Sequence, residues 1–215
     1  MQLYSFFNSS TSYRVRIALA IKGLDYHYHG INIRIGEQNS ADYVQINPSK
    51  GVPVLIDDAH DFQLNQSLAI IEYLDELFPN PPLLPENPKC RAQIRAFAHG
   101  IACDMHPINN LRVLKYLQTQ LNVSDEQKTQ WYQHWIAEGF QAAEQTLAQR
   151  ESTPFCFGNE PSLADICLVP QMANAERFGC DLTPYPRLNA VYQHCLQHPA
   201  FIAAQPNQQP DFQAA

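Results

Sequence analysis

The sequence predicts a small α/β domain followed by an all-α domain, and three observations carry that prediction. Strand and helix patterns alternate over about the first eighty residues, and strand patterns nearly vanish afterwards. Between the two regimes, prolines 79, 81, 82, 85 and 88 make a stiff, extended connector that no helix can cross. The expected boundaries are therefore 1–83 and 89–211. With 45% of 215 residues hydrophobic, the chain can fill a core in each part.

In order, Gln2 to Phe6 reads as a strand and Ser9 to Lys22 as a helix, with hydroxyl residues at its start and Gly23 as its stop. Tyr26 to Ile33 alternates as a second strand, so the first helix is a crossover between parallel partners. Val54 to Asp57 and Phe62 to Leu64 form two short strands around a turn, expected to be antiparallel. Ser67 to Phe78 closes this part as a helix burying Ile70, Leu74 and Leu77. Beyond the connector, Lys89 to Leu121 is a long helical stretch broken or kinked near Pro107, and Asp125 to Arg150 is a second one. Ser162-Leu163-Ala164-Asp165 is a capping box opening a helix that runs through about Phe178. Arg187 to Gln197 is a last helix, and the Gln/Pro-rich end reads as a tail.

Composition narrows the function. The formal net charge of -7 leaves no electrostatic drive toward nucleic acid or an anionic membrane, so neither is an expected partner. No apolar run approaches the roughly 20 residues of a bilayer span, and the first residues lack the layout of a secretory leader. Six scattered cysteines without a C-x-x-C spacing suit a reduced, cytoplasmic protein. His27 and His29 lack a third ligand nearby, so no metal site is expected.

Three segments carry candidate chemistry. Asn8-Ser9-Ser10-Thr11-Ser12 places four hydroxyls where a strand feeds a helix. One serine suffices as a cap, but the cluster also suits a thiolate brought by a ligand, stabilised by free N–H groups and hydroxyl donors. Val52-Pro53 starts a strand without one backbone donor; an ordinary turn and an outward-facing peptide unit that pairs with another peptide are equal alternatives. Gln66-Ser67 again opens a helix at polar residues, as a plain cap or as a carboxylate trap. Together they suggest a site for a short, anionic, thiol-bearing peptide.

The run Ser9-Ser10-Thr11-Ser12-Tyr13-Arg14-Val15-Arg16-Ile17-Ala18-Leu19 closely resembles the zeta-class glutathione transferase signature, Ser-Ser-Cys followed by x-x-Arg-Val-Arg-Ile-Ala-Leu. Further matches are Asn109-Asn110-Leu111, Leu168-Val169-Pro170-Gln171, Ala173 to Phe178 and Asp181 to Pro186. The resemblance spans residues 2 to 211. It implies a thioredoxin-like N-terminal domain and an all-α C-terminal helical bundle, that is, the glutathione transferase fold, assembled as a homodimer. It implies glutathione as cofactor, with Val52 pairing its backbone with the cysteinyl part ahead of a cis Pro53. Gln66 and Ser67 would hold the γ-glutamyl end and Gln38 the glycyl end. His106, Asn110 and Arg112 match positions lining the same cleft, and Ser9, Ser10 and Thr11 would surround the sulfur.

The implied reaction is cis–trans isomerisation of maleylacetoacetate, a small dicarboxylate-type substrate. Maleylpyruvate isomerisation, transfer to halogenated acids, and a non-catalytic interaction module are the alternatives. Thr11 stands where the family often has Cys, which leaves Ser9 the main hydroxyl. Asn8 stands where some members have Arg, which shifts the substrate carboxylate to Arg177 and to Arg112.

Overall fold

The structure, a computed structural model, describes residues 1–213. The chain divides into two compact units: Met1–Pro82 joined by the C-terminal segment from Gln197, and Leu83–Leu196.

The first unit is built on a four-stranded mixed sheet in the order β2-β1-β3-β4. β1 (Gln2–Ser5) runs parallel to β2 (His27–Gly30), and the helix between them, α1 (Ser10–Lys22), is the expected crossover. β3 (Val54–Asp57) pairs antiparallel with β1 and with β4 (Phe62–Asn65), in a register that sets Val54 opposite Asn65. α1 ends as its glycine demands: Gly23 sits at φ 65, and Leu24 N–H reaches Leu19 O at 3.0 Å. α3 (Ser67–Leu77) packs on α1. Leu3, Val15, Leu19, Leu55, Ile70 and Leu74 fill the space between sheet and helices.

Two elements of this unit lie outside the sequence expectation. α2 (Ala41–Ile46), preceded by a 3-10 turn at Glu37–Asn39, is only six residues long and buries Tyr43 alone, too little for a periodic signal. The terminal segment, expected as a tail, instead folds as α10 (Pro199–Ala203) and a 3-10 turn at Pro206–Gln208, with α10 packed on α1. Its anchors are Phe201, Ala204 and Gln209, all buried, in a stretch whose Gln/Pro content hides them.

The second unit is helical. α4 (Pro88–His99) continues through a π-helical turn, Gly100–Met105, into α5 (His106–Ile108), and α6 (Leu111–Thr119) follows a break at Asn109–Asn110. Pro107 explains the π turn: it offers no N–H, and its ring displaces the carbonyl four residues back. α7 (Asp125–Ala148) is the longest helix; α8 (Leu163–Arg177) is buried at every position from 163 to 172. A helix buried on all sides belongs at the centre, and α8 packs against α4, the π turn and α9 (Pro186–Cys195). The capping box at Ser162 forms as its sequence predicts. Asp165 accepts from Ser162 N–H at 2.9 Å and from Cys156 N–H at 2.7 Å.

Candidate active site

The hydroxyl cluster sits at the start of α1. Ser9 is the N-cap: its Oγ accepts from Ser12 N–H at 3.3 Å. Thr11 Oγ1 donates to the Val52 carbonyl at 2.8 Å, and Ser9 Oγ lies 2.9 Å from Thr11 Oγ1. Thr11 has one hydroxyl proton, and Val52 O can only accept. The pair is therefore ordered, with Ser9 donating to Thr11 and Thr11 donating to Val52.

Val52 faces this cluster through its carbonyl, and the Val52–Pro53 bond is cis. Its N–H has no hydrogen-bond partner among the described residues, so one edge of this peptide unit is open to an extended ligand. The loop ahead of it is held tightly. Gly51 O accepts from Tyr43 OH at 2.5 Å and from Asn47 Nδ2 at 2.8 Å.

Gln66 occupies φ 70, a left-handed conformation that costs a non-glycine residue about 1–3 kcal/mol and persists only where the surroundings enforce it. It precedes α3, which no side chain caps. The contrast with α9 is instructive, because there the Glu144 carboxylate of α7 takes the N–H groups of Arg187 and Leu188 at 2.9 and 3.0 Å. The first N–H groups of α3, beside the buried Ser67, remain available to an outside anion. Arg14, also buried, donates to Ser67 Oγ at 3.4 Å and adds positive charge to this corner.

Asn47 joins the Val52 segment to the Gln66 segment, and the sequence reading missed it. Its Oδ1 accepts from Asn65 Nδ2 at 3.0 Å, next to Gln66, and from Ser49 N–H and Oγ; its Nδ2 holds Gly51, next to Val52. The available signal was Asn before Pro between two elements, the mark of an Asx turn. Arg14 was missed too, although α1 carries no polar stripe and so had to bury its charges.

The remaining candidates are distributed as follows. Gln38 lies in the 3-10 turn, with its Oε1 buried and without a hydrogen-bond partner among the described residues. In the helical unit, Asn110 caps α6 by accepting from the backbone N–H of the exposed Arg112 at 3.1 Å and lies 3.5 Å from His106 Nε2. Arg177, in the last turn of α8, donates to Asn174 Oδ1 at 2.9 Å and lies over the Phe178 ring at 5.2 Å. Glu176, its chain neighbour, accepts instead from Tyr192 OH at 2.8 Å. Phe178 stacks on Tyr132 at 3.7 Å, and burial pushes the Tyr132 hydroxyl up so that it stays neutral.

Within the first unit, the donor set is chemically specific. An open peptide edge, an uncapped helix start backed by an arginine, and a hydroxyl pair at a second helix start fit a short peptide bearing a carboxylate and a thiol. Among the described residues no group of three His, Cys, Asp or Glu side chains could hold a metal ion. No helix there is long and apolar enough to cross a membrane.

Comparison with known proteins agrees with this chemistry. Residues 1–76 match the glutathione S-transferase N-terminal domain, and residues 109–199 match its C-terminal domain. The chain is 50% identical to a probable maleylacetoacetate isomerase of Vibrio cholerae, over 97% of each chain. Among solved structures it resembles a maleylpyruvate isomerase, a bacterial glutathione transferase of the zeta class. That likeness has a TM-score of 0.96 and 42% identity, covering 99% of this chain and 100% of that one. It also resembles a maleylacetoacetate isomerase of Methylobacterium extorquens AM1 with bound malonate and glutathione, at a TM-score of 0.95 and 34% identity over the whole of both chains.

Proposed function

The chain belongs to the glutathione S-transferase family, in its zeta class, and from that premise we propose that it is a glutathione-dependent isomerase converting maleylacetoacetate to fumarylacetoacetate. The observation that carries the reading is the ordered pair Ser9–Thr11, 2.9 Å apart at the start of α1 and fastened to the Val52 peptide.

When bound, glutathione supplies a sulfur nucleophile whose reversible addition makes the cis double bond rotatable. The chain's own residues do the rest. The Val52 N–H pairs with the peptide part, and the start of α3 with Gln66 and Ser67 takes the γ-glutamyl carboxylate. Gln38 serves the glycyl end. At α1, Ser9 and Ser10 face the sulfur with the helix's partial positive charge behind them. Lowering a thiol pKa by about 2 units in this way is worth roughly 2.7 kcal/mol. Arg177 takes a substrate carboxylate and offsets negative charge that develops on the substrate.

We further assign the protein to the reduced cytoplasm, in keeping with six cysteines of which none forms a disulfide, and to a homodimer. The likeness to the maleylpyruvate isomerase supports that substrate as the second reading, because the chemistry is shared and only the substrate tail differs. Ultraviolet-monitored isomerisation of both substrates, each with and without glutathione, decides. The expected result is glutathione-dependent turnover with kcat/KM higher for maleylacetoacetate. A higher value for maleylpyruvate moves the assignment to the second reading, and no turnover of either removes the isomerase reading altogether.

A further inference from the structure

The terminal segment touches the loop from which Ser9 is presented. That loop, residues 6–8, joins β1 to α1, and Ser9 N–H is bound to Phe6 O at 3.0 Å. Arg16, 1% exposed, reaches over it from α1. Its guanidinium donates to Phe6 O at 3.3 Å, to Phe7 O at 3.0 Å, to Ser5 Oγ at 3.2 Å and to Ala204 O at 3.1 Å. One buried cation thus links both loop carbonyls to the segment after α10.

Asp211 closes the arrangement from the other side. Its Oδ2 accepts from Phe7 N–H at 3.1 Å and its Oδ1 from Tyr28 OH at 2.6 Å. The aspartate is seated closely, since a Cβ on Gly30 would lie 3.1 Å from Asp211 Cβ. The ring of Phe212 meets that of Phe7 edge-on at 5.5 Å. The segment is itself stiffened by Gln209, which is buried and donates to Ala203 O at 3.1 Å and Gln205 O at 2.8 Å. Every backbone polar group of Phe7, and the carbonyl that fixes Ser9, is therefore held by residues near positions 16 and 211.

We propose that Asp211 and Arg16 are positioning residues for the Ser9 hydroxyl, and that the C-terminal segment is a working part of the active site. A hydroxyl serving a sulfur nucleophile is sensitive to its placement, and a shift of about 1 Å can cost a large factor in rate. Neither Arg16 nor Asp211 hydrogen-bonds Val52, Gln66 or Ser67, and their one route to Val52 runs through Ser9 and Thr11, so the main effect of loosening them falls on the Ser9 hydroxyl and turnover. The proposal rests on Ser9 being the hydroxyl that faces the sulfur.

The test compares Asp211→Ala and the milder Tyr28→Phe with the parent in full-length protein. Amide hydrogen exchange at Phe7 and Ser9 without cofactor, glutathione Kd by calorimetry, and steady-state kinetics are measured on each. For Asp211→Ala, exchange at both amides rises at least about tenfold and kcat falls about tenfold, while glutathione Kd and substrate KM stay within about twofold. Tyr28→Phe moves the same quantities in the same direction by less, and it keeps the test open if Asp211→Ala does not fold. Parent-like kcat per folded molecule in either variant, or unchanged exchange at Phe7, overturns the proposal even if the melting temperature drops. Should the parent itself fail to isomerise, the functional reading falls, while the exchange measurement still decides whether the clamp holds the loop.

Discussion

Ser9 has one hydroxyl proton, and in this structure it is directed to Thr11, whose own proton goes to the Val52 carbonyl. A cysteine in place of Thr11 would donate only weakly, so this chain secures Val52 in a way the common family residue cannot match. Thr11 therefore contributes order, and under the proposed function Ser9 is the hydroxyl that turns toward the sulfur. Ser9→Ala is expected to lower kcat about 100-fold, as loss of one preorganised donor does, and Thr11→Ala by about tenfold or less. Equal losses in steady-state assays would refute that division of labour. Arg177 is oriented by Asn174 and the face of Phe178, which suits a planar fork aimed at a carboxylate. Arg177→Ala should raise substrate KM about tenfold with a smaller change in kcat; an unchanged KM removes it from the site. What the sequence disclosed at this scale was local. The caps at Ser9 and Ser162 are each made with residues three positions on, whereas Thr11 reaches Val52 across 41 positions and Asn47 reaches Asn65 across 18.

Elements were legible where a short-range rule governs them. Gly23 ends α1 because only its φ suits the turn, and the strand–helix–strand order forces a parallel pair. α2 and the terminal helix were hidden because six and five residues are too few for a period to show. Asn47 ties α2, the Val52 loop and the end of β4 into one rigid frame. Asn47→Ala leaves the Asn65 and Ser49 donors without their acceptor, a cost of about 1–3 kcal/mol in stability. Under the proposed function the Val52 and Gln66 segments, freed to move independently, should weaken glutathione Kd about fivefold or more while kcat at saturation changes little; calorimetry showing parent affinity would sever that link. In the second unit, α7 packs on the π turn at Gly139, where a Cβ would lie 2.2 Å from Met105 Cε and 3.1 Å from its Cγ. The methionine methyl can swing aside but its buried Cγ has little room, so Gly139→Ala should forfeit the usual helix gain of about 0.8–1.0 kcal/mol and come out neutral to about 2 kcal/mol destabilising in denaturant melts. Adding Met105→Ala should remove that penalty in a double-mutant cycle, and additive losses would show that the methionine is not the obstacle.

Over the whole molecule, the two units share one electrostatic habit: their buried titratable hydroxyls and thiols are kept neutral. Burial pushes up Tyr26, Tyr28, Tyr43 (to about 12), Tyr132, Cys156 and Cys195. In the unfolded chain these groups ionise near their ordinary values, 9.0 for cysteine and 10.0 for tyrosine, while the folded protein retains the protons. The unfolded state then binds fewer protons, so folding stability is fully present below pH 9 and declines as the pH rises through 9 to 12 and beyond. At the acid end Asp57 has the opposite sign. Burial alone would raise its carboxyl, but Tyr73 OH and His60 Nδ1, each at 2.8 Å, and the Ala59 N–H outweigh burial and hold it below its ordinary 3.8. Its contribution is present above pH 3.8 and is lost as the pH falls through the lowered folded value. Thermal melts across pH should show a plateau between these limits and a fall on either side. Tyr132→Phe removes one alkaline titration from the helical unit and Asp57→Asn one acid titration from the sheet unit. Each should flatten its own limb and leave the other unchanged, whereas a variant that altered both limbs would mean that the decline on either side comes from net charge rather than from these buried groups.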